Sequence, residues 1–396
     1  MKIFKKYLAR TLVVIFLFTC LVFPPINARA ESYGEVTRSG STFTAKVNGV
    51  TVYSGPDMFA AVQAAINNLT PGRTWKETVR IKNSGSSGQS GGSIKAINID
   101  SYTILDFGGC QIECNSNDLL IVPIQGERKT NIEIKNLRII GNPRYGIWLK
   151  SCSNISITNV TMQLTDGLGI RIDHSKGSWS TNVYIDNTNI SGAGSHAIET
   201  YGVDGLTVGT VVSSNTGGCG LLLNLTKNAN IGTVNATRAN YGGGYAAFRI
   251  ANSAGPNITV GTVIARECGR GFFSLTGSNG CTVNYVDISG CTSQGILIED
   301  SQNIVVNGGV VKNNNAEGVR ITSRSSTEFP PSQYNTVRNL RVYDDRSPRR
   351  QTYGIRETLP RTNNNRILNN DLRNGGTVAN LYYEGPGTIA QGNIVN

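Results

Sequence analysis

The sequence has only two histidines, His174 and His196, and charged residues make up just 16% of its 396 positions. After residue 30 no segment is apolar enough to span a bilayer, so no membrane partner is expected. Basic residues alternate with acidic ones instead of forming a run, which argues against nucleic-acid binding. Calcium prefers several converging carboxylates, and no aspartate-rich cluster is evident in the sequence. We therefore predict no cofactor, with calcium left open as an alternative.

The first 30 residues have the three-part layout of a secretory signal. A basic start leads into an apolar stretch from Leu12 to Phe23 and an Ala-Arg-Ala ending, so we expect cleavage after Ala30. Removing residues 1–30 takes away five Lys/Arg and no acid, and the net charge falls from +11 to +6 (32 minus 26). A basic, secreted, monomeric protein with an anionic polysaccharide as its partner is the expectation.

An alternating apolar phrase recurs about every two dozen residues, each time after a small residue. Alternation with period 2 is typical of strands, and units this short bury a core only when they are stacked. The chain has 46 glycines, which fit tight corners repeated in every coil. The repeat predicts an all-β parallel β-helix over one domain, residues 31–396. The opening residues are Gly146, Gly169, Ala197, Gly220, Ala247, Gly271, Gly295, Gly318 and Gly354.

One segment before the coils has helical periodicity. Residues 55–69 carry an apolar stripe that includes Phe59, Val62 and Ile66, and Asp57 is placed to cap the first turn. A stacked solenoid must cover its open end. We therefore predict that this helix caps the N-terminal coil.

Polar side chains concentrate on one outward face of the predicted coils. In the phrase "GIWLK", Ile147 and Leu149 point inward, so Trp148 and Lys150 point outward. Stacked coils lie about 4.8 Å apart, so the same frame gathers a cluster on one face across neighbouring coils, and His196 approaches it from the other corner. The alternative is that these residues merely satisfy one another as surface ion pairs. The cluster consists of Lys150, Arg171, Asp173, His174, Glu199, Tyr201, Asn224, Lys227, Arg249 and Asn252.

The cluster suits β-elimination on a uronic acid polymer. That reaction needs a cation near the carboxylate, a base for the C5 proton and an acid for the departing O4. Arg249, Arg171 and Asn224 fit the first task, and Tyr201, Lys227 and His174 fit the proton transfers. Hydrolysis would instead need carboxylates facing each other across the bond, and only Asp173 and Glu199 are available.

These features resemble the secreted right-handed parallel β-helix polysaccharide lyases. The phrase "IRIDHS" (170–175) is similar to the Trp-Ile-Asp-His motif of pectate lyases, whereas their Arg-x-Pro-x-x-Arg segment and the polygalacturonase signatures are absent. The cluster is most similar to that of the compact bacterial alginate lyases that prefer mannuronate. This resemblance implies a metal-independent lyase in which Tyr201, Lys227, His174 and Arg249 are catalytic. From their place on or beside the same outward face, we expect a set of substrate-binding residues, namely Arg171, Asn224, Glu199, His196, Lys150 and Asn252.

Several alternatives stay open at this point. Glucuronan lyase and calcium-dependent pectate lyase share the elimination chemistry. A glycoside hydrolase or fructotransferase would need Asp173 and Glu199 to face each other across a groove. A non-catalytic wall-binding solenoid would show stacked aromatic side chains over many coils.

Overall fold

Strands wind into a right-handed parallel β-helix, which confirms the predicted fold class. The computed structural model describes residues 31–396, and the predicted signal segment lies outside the described residues. Two stacks of strands, here called sheet 1 and sheet 2, run along the solenoid. From Glu77–Ile81 onward, each named strand pairs in parallel with the equivalent strand of the next coil. The core lies between the two sheets.

Sheet 2 carries the face that the sequence analysis singles out. Among residues 31–396 its strands are Lys95–Asn98, Ile121–Glu127, Tyr145–Lys150, Leu168–Asp173, Ile198–Tyr201, Leu221–Asn224, Ala246–Ala251, Arg270–Ser274, Ile296–Glu299, Val319–Thr322, Tyr353–Glu357 and Ala379–Tyr382. Neighbours in this order along the chain are also neighbours in the sheet. Sequence order and spatial order therefore coincide, as a solenoid requires.

Sheet 1 contains longer strands. It begins with Tyr33–Ser39, Thr42–Val47, Val50–Gly55, Glu77–Ile81, Gly85–Ser86, Thr103–Asp106 and Gln111–Cys114. It continues with Thr130–Gly141, Ser153–Leu164, Ser180–Ser191, Val203–Ser214, Lys227–Thr237, Ile258–Arg266 and Asn279–Ser289. It ends with Gln302–Val306, Gly309–Lys312, Ser332–Gln333, Thr336–Arg338, Leu340–Tyr343, Thr362–Asn363, Arg366–Leu368 and Ile389–Gln391.

Alternating side chains fill the interior. Ile147, Leu149, Ile170 and Ile172 are all fully buried and belong to one continuous apolar core. Burying an aliphatic side chain of this size stabilises the fold by about 1.5–3 kcal/mol. Because like side chains stack from coil to coil, the core extends along the whole solenoid.

Asparagines turn the corners of the coils in the left-handed conformation. Asn154 and Asn182 have φ values of 53° and 52°, and the amide of Asn182 donates to Oδ1 of Asn154 at 3.1 Å. Asn228, two coils further on, takes the same conformation, with φ 52°.

The N-terminal end is covered by a helix and a small antiparallel sheet. The helix spans Met58–Asn67, and the side chain of Asp57 caps it by accepting from the backbone N–H groups of Phe59 and Ala60 at 2.8 and 3.1 Å. The helix is thus shorter than the predicted 55–69 segment. The first three strands, residues 33–55, form an antiparallel meander that the coil repeat does not predict.

The cysteines of the described region are all free. Burial raises the pKa of Cys114 and of Cys219 to about 12, and that of Cys268 to about 11. Buried thiols with such pKa values stay protonated and unreactive. They act as small apolar side chains of the core.

Candidate active site

Outward side chains of sheet 2 form columns that run along the solenoid, and two of these columns lie on the strands that the sequence pattern identifies. Strand pairing places both in the register that the alternating pattern predicts. Because neighbouring strands lie about 4.8 Å apart, side chains on adjacent coils are in reach of one another. Column 1 contains Trp148, Arg171, Glu199, Leu222, Arg249 and Phe273, and column 2 contains Lys150, Asp173, Tyr201, Asn224 and Ala251.

Arg171 lies between two carboxylates and contacts both. Its Nε donates to Oδ2 of Asp173 at 2.8 Å, and its Nη1 donates to Oε2 of Glu199. Trp148 Nε1 donates to the same Oδ2 at 2.8 Å, while the hydroxyl and backbone N–H of Ser175 donate to Oδ1 at 2.6 and 3.0 Å. Both oxygens of Asp173 are therefore occupied, and the residue is only 1% exposed.

Glu199 extends this network to the next coils. Its Oε1 accepts from the side-chain amide of Asn224 at 2.9 Å, and Oδ1 of Asn224 accepts from the amide of Asn252 at 3.0 Å. Asn252 in turn accepts from the hydroxyl of Thr276 at 3.2 Å. Four predicted binding residues, Arg171, Glu199, Asn224 and Asn252, thus belong to one hydrogen-bonded network. Much of the hydrogen-bonding capacity of these four side chains is therefore used within the network.

The environments of the two carboxylates push their pKa values in opposite directions. Burial alone raises the pKa of Asp173, but the hydrogen bonds from Ser175, Trp148 and Arg171 together outweigh burial and lower it. At Glu199 burial is the larger effect and raises the pKa, although the charge of Arg171 opposes it. Asp173 is therefore a stable anion of the network.

His174 and Tyr201 form a contact pair where their strands turn the corner. Nδ1 of His174 lies 3.1 Å from the backbone carbonyl oxygen of Tyr201, and the two rings meet edge-on with centroids 5.0 Å apart. A carbonyl oxygen only accepts, so Nδ1 carries the hydrogen, and Nε2 of the neutral ring holds a lone pair. Within residues 31–396 the Tyr201 hydroxyl has no hydrogen-bond partner. The pair presents a base and a free hydroxyl side by side.

Gly202 makes room for this imidazole. It has φ +72°, and a Cβ at this position would lie 2.6 Å from Cγ and Nδ1 of His174. Any side chain would therefore be strained and would also displace the ring. The absence of a side chain at Gly202 thus leaves the space that the His174 ring occupies.

His196 has the opposite tautomer. Its Nδ1 accepts from the backbone N–H of Cys219 at 2.8 Å, so the neutral ring carries its hydrogen on Nε2. Burial, followed by the nearby charges of Arg249 and Arg171, lowers the pKa of His196 to about 4. His196 is thus a neutral hydrogen-bond donor. It lines a pocket of about 460 Å³ with Leu119, Arg144, Tyr145, Asp166, Gly167, Leu168, Arg171, Gly194, Ser195 and Glu199.

The two candidate lysines are already engaged. Nζ of Lys227 lies 3.4 Å from Oδ2 of Asp204 and 4.8 Å from the centroid of the Trp179 ring. Lys227 begins a strand of sheet 1, so it lies at the corner and not in either column. Lys150 stands in column 2, and its Nζ lies 3.7 Å from Oε2 of Glu127. Both ammonium groups are placed beside carboxylates.

Arg249 differs from Arg171, Lys150 and Lys227 in its surroundings. Its guanidinium lies 4.7 Å from the centroid of the Tyr245 ring and 5.1 Å from that of Phe273. Among residues 31–396, no carboxylate lies within 4.0 Å of it, and its buried Nε has no hydrogen-bond partner. The chain therefore holds a positive charge on this face without supplying the anion.

A third column, which the alternating pattern does not predict, is formed by the residues just before each small opening residue. Tyr145 and Leu168 are paired there, and so are Ala246 and Arg270. His196 is the only member that the sequence analysis included. The sequence does contain a signal for this column, because each of its residues directly precedes an opening glycine or alanine. The full column is Tyr145, Leu168, His196, Cys219, Ala246, Arg270, Gln294, Glu317 and Tyr353.

No ready-made metal site is present in the described part of the chain. Within residues 31–396, no group of three or more His, Cys, Asp or Glu side chains is placed to hold a metal ion. Two carboxylates at the centre of the face, Asp173 and Glu199, are joined by Arg171. A cation of the chain itself thus stands between them. In the same region no helix is long and apolar enough to cross a membrane.

Comparison with known proteins agrees with the architecture. A family model described as "Right handed beta helix region" matches residues 122–263. The mannuronan C-5 epimerase AlgE6 A-module of Azotobacter vinelandii is structurally similar, with a TM-score of 0.67 and 18% identity over 85% of this chain and 95% of that one. The AlgE4 A-module of the same organism gives a TM-score of 0.65 and 15% identity over 86% and 96%. No curated protein matches the sequence. At these identities the likeness is one of fold.

Proposed function

We propose that the protein is a secreted enzyme that acts on an acidic uronate polysaccharide, with alginate in its polymannuronate form as the substrate. In this proposal it removes the C5 proton of a uronate and cleaves the chain by β-elimination. The observation that carries the proposal is Arg249, a half-buried guanidinium without a carboxylate partner in the described chain. A uronate carboxylate would supply the missing anion.

Arg249 would lower the cost of removing the C5 proton. That proton is acidic only when the charge that develops on the adjacent carboxylate is stabilised, and a guanidinium in a poorly solvated site does this well. The neighbouring Leu222 is apolar and 3% exposed, so water is scarce on this side of the cation. The Nε2–H of His196 would donate a second hydrogen bond to the same carboxylate.

His174 and Tyr201 would move the protons. The lone pair on Nε2 of His174 would accept the C5 proton, the electrons of the C5–H bond would form the C4–C5 double bond, and the C4–O4 bond would break. The Tyr201 hydroxyl would give its proton to the departing O4. In mannuronate and glucuronate H5 and O4 lie on the same side of the ring, so adjacent groups on one face can serve both. Lys227, held by Asp204, would contribute positive charge near Tyr201 and not the base itself.

Hydrolysis has weaker support. A glycoside hydrolase needs one carboxyl group to donate a proton and another to attack or to activate water. Here both oxygens of Asp173 already accept hydrogen bonds, and Glu199 is joined to Arg171 and Asn224. Asp173 already accepts four hydrogen bonds, which fill its acceptor sites, and Arg171 binds both carboxylates on the side where a glycosidic bond would have to lie between them. Wall binding by stacked aromatic side chains is also weakly supported, because Phe273 is only 6% exposed.

Epimerisation at C5 is the second candidate, and the structural similarity to mannuronan C-5 epimerase modules favours it. Epimerisation and elimination share the first step. The two reactions diverge afterwards, because an epimerase returns a proton to the opposite face of C5 whereas a lyase expels O4. Arg249 and His174 would have the same roles in both reactions.

One experiment separates the candidates. Purified mature protein is incubated with polymannuronate, polyguluronate, glucuronan and polygalacturonate in D₂O, with and without EDTA. Absorbance near 235 nm reports the unsaturated uronate, and NMR reports deuterium at C5. We expect absorbance on polymannuronate that EDTA does not affect. Deuterium without absorbance would identify an epimerase, and activity only on polygalacturonate that EDTA abolishes would identify a pectate lyase.

Two variants tie the activity to the site. Tyr201→Phe removes the free hydroxyl, and Tyr184→Phe is the matched control, because Tyr184 is an exposed tyrosine on sheet 1. We expect the first variant to lose about 10² to 10⁴ in kcat and the second to match the wild type. New reducing ends without absorbance or deuterium would mean hydrolysis and would refute the proposal.

A further inference from the structure

Two arginines share one aromatic ring next to the proposed site. The guanidinium of Arg249 lies 5.1 Å from the centroid of Phe273, and that of Arg270 lies 4.7 Å from the same centroid. Arg270 donates from Nε to Oε1 of Gln294 at 2.8 Å and from Nη1 to the carbonyl oxygen of Gly244. In the described chain, neither arginine has a carboxylate within 4.0 Å. Two like charges therefore stand over one ring without an anion.

This arrangement costs free energy in the absence of a ligand. Burial lowers the pKa of Arg270, and the neighbouring charge of Arg249 lowers it further, although Glu299 opposes both. Like charges repel strongly where water is scarce, and an anion between them reverses the sign of the interaction. Guanidinium groups also match carboxylates with paired hydrogen bonds.

Positive charge continues along column 1 beyond Phe273. Leu297 follows, then Arg320 and then Arg356. Nη1 of Arg320 and Nη1 of Arg356 lie 3.6 and 3.3 Å from the same oxygen of Glu317. The buried Nε of each arginine has no hydrogen-bond partner. One carboxylate is thus shared by two guanidinium groups, so the cluster of these three side chains keeps a net positive charge.

We propose that Arg270 and Arg320 bind carboxylates of the polymer segment that extends from Arg249 toward the C-terminal coils. The polymer would lie parallel to the solenoid axis. Arg249 and Arg320 are three strands apart in column 1, about 14 Å, so a chain of several uronates is needed to reach both. Phe273 and Leu297, only 6% and 4% exposed, form the apolar floor between the cations. The inference rests on the proposed function for the identity of the ligand.

Binding is measured apart from turnover. Affinity electrophoresis and calorimetry at low salt use polymannuronate, dextran sulfate and neutral dextran as probes. The variants are Arg270→Gln and Arg320→Gln. The control is Arg373→Gln, which removes the same charge from an exposed arginine that is paired with Asp371. We expect each of the first two variants to weaken polymannuronate binding about ten-fold and the control to bind as the wild type.

The outcomes are distinct. If the wild type turns over polymannuronate but both variants bind it like the control, the inference is wrong and the proposed function stands. If the wild type binds polymannuronate through these arginines yet neither absorbance nor deuterium appears, the inference stands and the proposed reaction fails. A loss confined to dextran sulfate would overturn the assignment to carboxylates. Should Arg270→Gln fail to fold, because it loses two hydrogen bonds, Arg320→Gln decides the question.

Discussion

His174 donates the hydrogen on Nδ1 to the backbone carbonyl oxygen of Tyr201, 3.1 Å away on the next coil. In the neutral ring, the lone pair is then on Nε2. The second histidine, His196, accepts at Nδ1 from a backbone N–H and therefore carries its hydrogen on Nε2. The backbone thus gives two identical side chains opposite roles, one as an acceptor and the other as a donor.

The role of His174 can be tested without losing its hydrogen bond. In His174→Asn the amide can still donate to the carbonyl oxygen of Tyr201, but the variant has no lone pair in place of Nε2. We expect kcat on the active polymer to fall by about 10² to 10⁴, with thermal unfolding close to that of the wild type. The rates come from absorbance near 235 nm, or from deuterium uptake if the enzyme is an epimerase. A variant with full activity would show that another group is the base.

Gly202 provides an independent test of the position of the imidazole. Gly202→Ala introduces a Cβ at 2.6 Å from the ring of His174, on a backbone with φ +72°. Gly205→Ala is the matched control, since it has φ +81° but its nearest neighbour is Oδ1 of Asn182 at 3.3 Å. Both substitutions should destabilise the protein by about 1–2 kcal/mol through backbone strain. Only Gly202→Ala should also lose activity. Equal activity in the two variants would mean that the ring is not positioned by this contact.

The fold could be predicted because it depends on local patterns. Strand alternation and the recurring small residues are visible in sequence, and stacking converts them directly into the register of column 1 and column 2. The pairing of Arg171 with Glu199 follows from that register alone. The antiparallel meander at the N-terminus could not be predicted from the repeat, because it does not share the repeat.

The site could be predicted less well, because corners do not alternate. Lys227 follows a strand of sheet 2 by three residues, and only the path of the corner decides that it meets Asp204. Arg270 was missed because it precedes the strand pattern of its coil. The alternating pattern identifies which side chains point out of the solenoid. Hydrogen bonds between neighbouring corners determine the final positions of these side chains. Glycines such as Gly202 carry part of that information.

Asp173 should be structural and not catalytic. Asp173→Asn keeps the shape of the side chain but removes the charge that Arg171 and two other side chains contact. Breaking a buried charge pair leaves the partner uncompensated, so we expect a loss of about 3 kcal/mol in the free energy of unfolding, measured in urea. Asp345→Asn, at an exposed aspartate, should change it by less than about 0.5 kcal/mol. Unchanged stability with abolished activity would support a hydrolase instead.

The stability of the protein should depend on pH through His196. In the unfolded chain this histidine takes up a proton as the pH falls below its ordinary pKa of 6.5, whereas burial and the charges of Arg249 and Arg171 lower the folded pKa to about 4. Between these two values the unfolded state binds more protons than the folded state. Stability must therefore decrease as the pH falls through this window, by about 3 kcal/mol in total.

His196→Asn isolates this effect. The Oδ1 of asparagine can accept from the backbone N–H of Cys219 as Nδ1 does, but the side chain does not titrate. Urea unfolding of both proteins at pH 7 and pH 4 gives the difference directly, because the other groups titrate in both. We expect the wild type to lose about 3 kcal/mol more than the variant between these two pH values. Equal losses would mean that His196 is protonated as easily in the folded protein as in the unfolded chain, and its role as a neutral donor would then be wrong.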